Sequence, residues 1–223
     1  MSIVNCINLR LIIMKINIPF LSTQSKAFSF KGKTAVITGA GSGIGQALAI
    51  QLAAKGANIA MADISEENLE VTRKRAAHPG TKIEIFKVDV SNRAAIYEFA
   101  KTVKCEFGRV DIVINNAGVA LSETVEDMNY DDFEWVMDIN FWGVVYGTKA
   151  FLPYLKDSDE SYIVNISSIF GLISIPTQAA YNASKFGLVG FTQLSSSNTE
   201  RTFRQNLSSI CVSPAFLSRC KFL

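Results

Sequence analysis

From Lys33 onward, short apolar runs alternate with longer stretches in which apolar and polar residues are mixed. The short runs are rich in β-branched residues and predict strands at 34–38, 58–62, 83–88, 110–115, 162–166 and 207–212. The longer stretches repeat apolar residues every three or four positions and predict helices near 44–55, 66–76, 92–107, 131–156 and 179–200. Strands that alternate with helices form right-handed βαβ units. The pattern therefore predicts an α/β fold with a doubly wound parallel sheet of about six strands.

Residues 1–30 differ from the rest because they contain no acidic residue and carry Arg10, Lys15 and Lys26 among apolar ones. Their apolar run, Leu11 to Met14, is too short for a membrane-spanning helix or a secretory signal. We interpret 1–30 as a poorly ordered N-terminal extension and 31–223 as one domain. The alternative is that these residues lie upstream of a start at Met14.

Composition narrows the possible partners. With 223 residues, of which 48% are hydrophobic, the chain can bury one sizeable core. The net charge is only +2 and both signs are mixed along the chain, so we expect a small-molecule partner and no nucleic acid. The four cysteines form neither a Cys-x-x-Cys pair nor a zinc spacing with the single histidine, His78. We therefore expect no metal site and a reduced, cytoplasmic location.

A glycine-rich turn follows the first predicted strand and leads directly into a helix. Its residues are Gly39, Ser42, Gly43, Ile44 and Gly45. Glycines at these positions permit a sharp turn and a close approach of the backbone to a pyrophosphate, while the helix N-terminus presents free N–H groups. A plain tight turn is the alternative, but the strand–turn–helix context favours a dinucleotide site.

Asp63 ends the second predicted strand, eighteen residues after Gly45. A carboxylate there can accept the ribose hydroxyls of NAD and would repel a 2′-phosphate, so NAD is favoured over NADP. Asp63 could instead be a turn or helix-capping residue, because Ser65, Glu66 and Glu67 resemble the start of a helix.

The spacing Gly39-x-x-x-Gly43-x-Gly45, followed by Asn115-Asn116-Ala117-Gly118, resembles the short-chain dehydrogenase/reductase family from about Phe30 to Pro214. The resemblance implies a Rossmann sheet and an oxidoreductase that moves a hydride between NAD(P) and an alcohol or carbonyl. It also implies that Asn115 braces the sheet centre, and that further cofactor contacts come from Asp89, Val90, Asn116, Ala117, Gly118 and Pro214.

Tyr181 and Lys185 lie four residues apart, hence on one face of a helix. An ammonium beside a phenol favours loss of the phenol proton, which suits Tyr181 for acid–base work. Ser168, thirteen residues before Tyr181, and Asn140 complete a set that resembles the family's catalytic tetrad. The resemblance assigns Ser168 to the substrate oxygen and the Asn140 carbonyl to a water near Lys185. Ser167 is the weaker serine candidate because its spacing is one residue too long.

Each member of this set also has an ordinary structural interpretation. Either serine could be a turn hydroxyl, Asn140 a polar helix residue and Tyr181 a core aromatic. The order and spacing of all four together favour the catalytic interpretation. Val119 to Leu121 and Phe170 to Leu172 flank the expected pocket and are mostly apolar. They suggest a hydrophobic alcohol or ketone, although these positions could equally serve packing.

Beyond Lys185 the sequence departs from the family pattern. The run Ser195-Ser196-Ser197-Asn198-Thr199 is expected to fray its helix, and Ser208-Ser209 to weaken the next strand. Pro214-Ala215 replaces the family's Pro-Gly, and the chain ends nine residues after Pro214, so we expect the last family strand and the substrate lid to be missing.

These departures leave two other functions open. One is a dinucleotide-binding remnant without turnover. The other, a sugar-nucleotide epimerase, is disfavoured by the glycine spacing. In the family the helices near 131–156 and 179–200 bury against a partner subunit, so we expect a homodimer or homotetramer if the second helix is intact.

Overall fold

The computed structural model describes residues 28–202 and 206–212. Six strands and the helices between them alternate along the chain. Their bounds are β1 (Thr34–Thr38), α1 (Gly43–Ala54), β2 (Asn58–Asp63), α2 (Glu66–Ala76), β3 (Ile83–Lys87), α3 (Arg93–Phe107), β4 (Ile112–Asn115), α4 (Tyr130–Met137), α5 (Gly143–Leu155), β5 (Glu160–Ile166), α6 (Ala179–Thr202) and β6 (Asn206–Val212). A π-helical turn (Asp138–Trp142) joins α4 to α5, and a 3₁₀ turn (Ile169–Gly171) follows β5.

The strands form one parallel sheet in the order β3-β2-β1-β4-β5-β6. The chain builds outward from β1 to β3 and then crosses to the other side of β1 to begin β4. The connections after β1 and β4 therefore diverge, which opens a crevice at the carboxyl ends of these strands. The predicted doubly wound α/β sheet is confirmed.

Helices cover both faces of the sheet because successive strand side chains point to opposite sides. On one face Ile37 packs with Leu48 of α1 and Leu69 of α2. On the other, Val36 belongs to a cluster with Phe99 of α3 and Phe151 of α5. The central strands are thus buried on both faces, which explains why they have continuous apolar runs rather than alternating ones.

The amino ends of β1 and β4 are fastened by an ion cluster around Asp111, whose side chain is fully buried. Asp111 accepts hydrogen bonds from the Thr34 N–H (2.9 Å), from Lys33 Nζ (3.2 Å) and from Arg109 Nε (2.8 Å) and Nη2 (2.6 Å). Burial alone raises the pKa of Asp111, but these donors outweigh it and lower the pKa below its ordinary value. The hydrogen bonds between Arg109 and Asp111 in turn raise the pKa of Arg109. We call these four residues the lower cluster.

Two sequence expectations need correction. The single helix predicted at 131–156 is three elements, because the π turn inserts a wider coil at Asp138–Trp142. The serine run does not end its helix: the backbone of α6 stays helical to Thr202. β6 pairs with β5 over its whole length, from Asn206↔Glu160 to Val212↔Ile166.

Several predictions concern residues outside the described ranges. They include most of the N-terminal extension, residues 1–27, and the Pro214-Ala215 pair. Within the part of the chain that the structure describes, no helix is both long and apolar enough to cross a membrane.

Candidate functional site

The glycine turn lies at the carboxyl end of β1 and aims the N-terminus of α1 into the crevice. Gly43 has φ 53°, a left-handed conformation that glycine adopts without steric cost. A Cβ at Gly45 would collide with the Gly39 carbonyl oxygen, so the helix can approach the turn only without a side chain there. Gln46 N–H donates to the Ser42 carbonyl, so the amides before Gln46 belong to the open first turn. Such a turn can hold an anion.

Asp63 ends β2 beside this turn. Its Oδ2 accepts the Gly41 N–H (2.9 Å), and its Oδ1 accepts the Ser65 N–H (3.0 Å). Asp63 therefore stabilises the turn, as the alternative interpretation of the sequence expected. Ser65, and not Asp63, caps α2, because its hydroxyl oxygen accepts the Asn68 N–H. The carboxylate also lines the crevice, and its remaining lone pairs can accept further hydroxyl groups.

The loop after β4 is fastened to the glycine turn by Asn116. Its Nδ2 donates to the carbonyls of Thr38 (3.0 Å) and Gly39 (3.1 Å). In return, Thr38 Oγ1 accepts the backbone N–H groups of Asn116 (3.0 Å) and Ala117 (3.1 Å). These reciprocal bonds hold the two loops together as one wall of the crevice.

A buried polar chain runs through the sheet centre beneath this wall. Asn115 Nδ2 donates to Asn165 Oδ1 (2.8 Å) and to Thr148 Oγ1 (3.3 Å). Asn165 Nδ2 donates to Thr192 Oγ1 of α6 at 3.0 Å. A Cβ at Gly147 of α5 would run into the Asn115 amide, so the helix lies directly on it. These hydrogen bonds link β4 and β5 to α6, the helix that carries Tyr181.

Tyr181 and Lys185 lie side by side on α6. Lys185 is 4% exposed, and its Nζ lies 5.6 Å from the centre of the Tyr181 ring. The same ammonium donates to the Ile166 carbonyl at 3.0 Å, which holds it at the carboxyl end of β5. The Phe170 ring meets the Tyr181 ring edge to face at 6.1 Å. Both members of the predicted pair line the crevice.

Asn140 is fully buried in the π turn. Its side chain exchanges two hydrogen bonds with the Val119 backbone, both 2.8 Å, and also donates to Ser184 Oγ at 3.2 Å. A Cβ at Gly118 would lie 3.1 Å from Asn140 Oδ1 and 3.6 Å from Lys185 Nζ. The three residues thus adjoin one another, and the amide side chain of Asn140 has a fixed orientation. π turns occur frequently at functional sites.

The two candidate serines have different environments. Ser167 is 3% exposed, lines the crevice and donates to the Lys185 carbonyl at 3.4 Å. Ser168 is half-buried, and its Oγ accepts the Phe170 N–H at 3.2 Å as the cap of the 3₁₀ turn. Ser168 is not among the residues found to line the crevice. Its role at the substrate oxygen therefore stays a prediction.

Most of the predicted site residues meet in this crevice. Those that line it are Gly39, Ser42, Gly43, Ile44, Asp63, Asp89, Val90, Asn116, Ala117, Gly118, Tyr181 and Lys185. Gly45 and Asn140 lie behind the wall, and Pro214 is outside the described residues. Sequence reasoning missed Ile64, Val88, Ile139 and Ile166, which also line the crevice. Three of them directly follow or end a strand, so the rule that ligands bind at the carboxyl ends of strands would have found them.

The sequence is similar to those of a known protein family and of several curated proteins. The sequence model of the family described as short chain dehydrogenase matches residues 33–218. The putative oxidoreductase SadH of Mycobacterium tuberculosis is 48% identical over 165 residues, 74% of this chain and 60% of that protein. Estradiol 17-beta-dehydrogenase 11 of Homo sapiens is 34% identical over 190 residues, 85% of this chain and 63% of that protein. The chain thus spans about three fifths of the length of these curated relatives.

A solved structure with the same fold contains a dinucleotide. A short chain dehydrogenase/reductase from Burkholderia phymatum, in complex with NAD, superposes with a TM-score of 0.79 at 35% identity. The match covers 82% of this chain and 66% of that one.

Proposed function

The chain belongs to the short chain dehydrogenase family, and on that premise we propose that it transfers a hydride between NAD and an alcohol or carbonyl substrate. The observation that carries the proposal is that Tyr181 and Lys185 face the same crevice as the glycine turn. An acid–base pair and an anion-binding helix N-terminus on one cleft are what such a transfer needs.

The residues fit a nicotinamide dinucleotide, which supplies the hydride acceptor or donor. The first turn of α1 would hold the pyrophosphate between Ser42 and Gly45, and Asp89 and Val90 would lie at the adenine. Asp63 would accept the ribose hydroxyls through the lone pairs that Gly41 and Ser65 leave open. Because a carboxylate repels a 2′-phosphate, NAD is preferred over NADP.

The proton follows a separate route through side chains. Tyr181 Oη takes the proton of the alcohol, or returns it to the carbonyl oxygen in the reverse direction. The Lys185 ammonium, held by the Ile166 carbonyl, stabilises the phenolate that this creates. Ser168 hydrogen-bonds the reacting oxygen, and the carbonyl of Asn140 in the π turn holds the water that relays protons beyond Lys185.

The substrate side of the crevice favours an apolar alcohol or ketone. Val119 and Ala120 line it, and Leu172 and Ile173, 56% and 52% exposed, lie on the loop after Phe170. Exposed apolar residues beside a catalytic group can bury an apolar ligand. Estradiol, named in one relative, is a large apolar alcohol.

We also propose that the chain forms a homodimer or homotetramer in a reduced, cytoplasmic environment. Trp135 of α4, Trp142 of the π turn and Phe186 of α6 are each more than 40% exposed on the helices expected at a partner interface. The helical backbone of α6 up to Thr202 supports this surface.

The test is NADH formation from a panel of secondary alcohols, together with calorimetric titration of NAD alone. In the Tyr181→Phe variant we expect turnover to fall about 10²- to 10⁴-fold, because the proton acceptor is gone. NAD affinity should stay within about twofold, because the aromatic ring remains in place and only the hydroxyl group is lost. Wild-type turnover in this variant would refute the assignment of Tyr181.

Two matched variants test which serine hydrogen-bonds the reacting oxygen. Ser168→Ala should lower turnover, whereas Ser167→Ala should leave it closer to wild type, and the reverse order would transfer the role to Ser167. If the wild-type chain binds NAD but oxidises no alcohol and reduces no carbonyl, the proposed activity is wrong.

A further inference from the structure

Segment 172–178 connects the 3₁₀ turn after β5 to α6, the helix of Tyr181, without being part of a helix or strand. It begins after the 3₁₀ turn and ends at Gln178, directly before α6 and three residues before Tyr181. Leu172, Ile173 and Ile175 are 56%, 52% and 38% exposed, so the segment is not held down by apolar burial. Hydrogen bonds must therefore fix its position.

Asn182, the residue after Tyr181, supplies one of these bonds. Its side chain is buried, at 8% exposure, and Nδ2 donates to the Ile175 carbonyl at 3.1 Å. Its backbone N–H donates to the Gln178 carbonyl at 2.7 Å. The bond to Gln178 is the ordinary i→i−4 bond at the start of α6, so the attachment that is specific to the Asn182 side chain is the one from Nδ2 to the Ile175 carbonyl.

Thr177 connects segment 172–178 to the loop after β4 by hydrogen bonds. Its carbonyl accepts the Glu123 N–H at 2.8 Å, and its Oγ1 lies 3.2 Å from Ser122 Oγ. Glu123 also forms an isolated parallel bridge with Gln178. Thr177 has φ 65°, the one positive φ of a non-glycine residue within the described ranges, and a β-branched side chain is disfavoured there. A conformation of this kind persists only where its surroundings enforce it.

We propose that Asn182 is a positioning residue for the substrate wall, the name we give to segment 172–178 together with the loop at 122–123. It fixes segment 172–178, and through Thr177 the loop at 122–123, at a set distance from Tyr181. The inference rests on the proposed function, because it assigns to this wall the recognition of large apolar alcohols or ketones. A small alcohol reaches Tyr181 without touching the wall and gains little from its order.

The unpartnered atom of Asn182 separates this role from a purely stabilising one. Its Oδ1 is buried and has no hydrogen-bond partner within the described residues. A buried acceptor without a partner is costly, so a leucine of similar size would remove that cost together with the Nδ2 donor. The leucine variant is therefore expected to lose the bond to Ile175 without a net loss of stability, which separates the positioning role from a stabilising one.

The first experiment is amide hydrogen exchange on wild type and Asn182→Leu, with exposed Ala183→Ser on the same helix as the control. In Asn182→Leu we expect exchange about fivefold faster or more at the Glu123 amide and across 172–178, without a lower midpoint of thermal unfolding. The control should exchange as wild type. Unchanged exchange at Glu123 in Asn182→Leu, or in Asn182→Ala should the leucine variant not fold, overturns the attachment.

The second experiment compares a large apolar secondary alcohol with 2-propanol in the same variants. For Asn182→Leu, KM for the large substrate should rise about fivefold while kcat falls less, and the kinetics with 2-propanol should change least. An equal loss for both alcohols overturns the selectivity. If wild type turns over neither alcohol nor ketone, the proposed function fails, whereas the exchange experiment still decides whether Asn182 positions the segment.

Discussion

The two ends of the same sheet handle charge in opposite ways. At the amino end, the lower cluster closes the Asp111 carboxylate among two cations and a backbone N–H. At the carboxyl end, Asp63 accepts backbone N–H groups and still faces the open crevice, as does Lys185. In the first arrangement the charges are paired within the protein, and in the second they face the open crevice.

This difference separates stability from function along the strand axis. Charges that are matched inside the fold contribute to the free energy of folding, because removing one leaves the others unpaired. Charges on a ligand-facing edge contribute to binding. A substitution at each end should therefore change one measurement and leave the other nearly unaltered.

The largest effect is expected from Asp111→Ala. It leaves the buried Thr34 N–H without its acceptor and Lys33 and Arg109 without their carboxylate. Since both cations are partly exposed, we expect a loss of about 2–3 kcal/mol in the free energy of unfolding, less than for a fully buried pair. Urea unfolding measures this loss. The NAD affinity of the folded fraction should stay unchanged. A lower affinity would contradict the proposal that stability and cofactor binding depend on opposite ends of the sheet.

Asp63→Asn makes the opposite change at the carboxyl end. The amide keeps one oxygen acceptor but loses the negative charge, so the preference for NAD over NADP should shrink about tenfold. Competing titrations of the two dinucleotides measure the ratio. The free energy of unfolding should fall by about 1 kcal/mol, less than for Asp111→Ala, because one of the two N–H groups that Asp63 accepts loses its acceptor. An unaltered ratio would show that Asp63 serves the turn and not the cofactor.

A pH series sharpens the comparison, because the folded pKa of Asp111 is lowered. A group of this kind contributes its stability fully above its unfolded pKa, about 3.9, and loses it as pH falls through the folded pKa. Wild type should therefore lose part of its unfolding free energy as pH falls below about 4. Asp111→Asn should lack this component. Parallel acid profiles for the two proteins would contradict the assignment.

The smallest effect belongs to Thr34→Val, within the lower cluster itself. The Thr34 hydroxyl is buried and has no partner among the described residues, whereas its backbone N–H is the group that Asp111 uses. Valine fills the space without the orphaned oxygen, so stability should stay equal or rise by up to about 1 kcal/mol. A loss above that, measured by urea unfolding, would mean that the hydroxyl does have a partner.

The sequence predicted the fold closely because its signals are local. Apolar runs and three-to-four spacing located all six described strands and the main helices within a few residues. The start of β5 at Glu160 was missed because Glu160 and Ser161 are polar and join the sheet only through their pairing with Asn206 and Leu207. The π turn was missed because a single wider turn only shifts the three-to-four apolar spacing by one residue, which a continuous helix pattern tolerates.

Much of the candidate site was predictable for the same reason, since Gly39 to Gly45 and Tyr181 to Lys185 are short, regularly spaced motifs. The links between distant segments were not. Asn182 and Thr177 act through carbonyls and a left-handed backbone, which residue type does not specify. The lower cluster likewise depends on Lys33 and Asp111, far apart in sequence, meeting across neighbouring strands.

The contact between Gly147 and the Asn115 amide constrains how this sequence can diverge. Any side chain at position 147 would displace the amide from Asn165 and Thr148, and so would disturb the centre of the sheet. A smaller residue at 115 would relieve the collision but would leave the other two without their donor. The two positions are therefore expected to covary in descendants of this gene, and neither should drift alone.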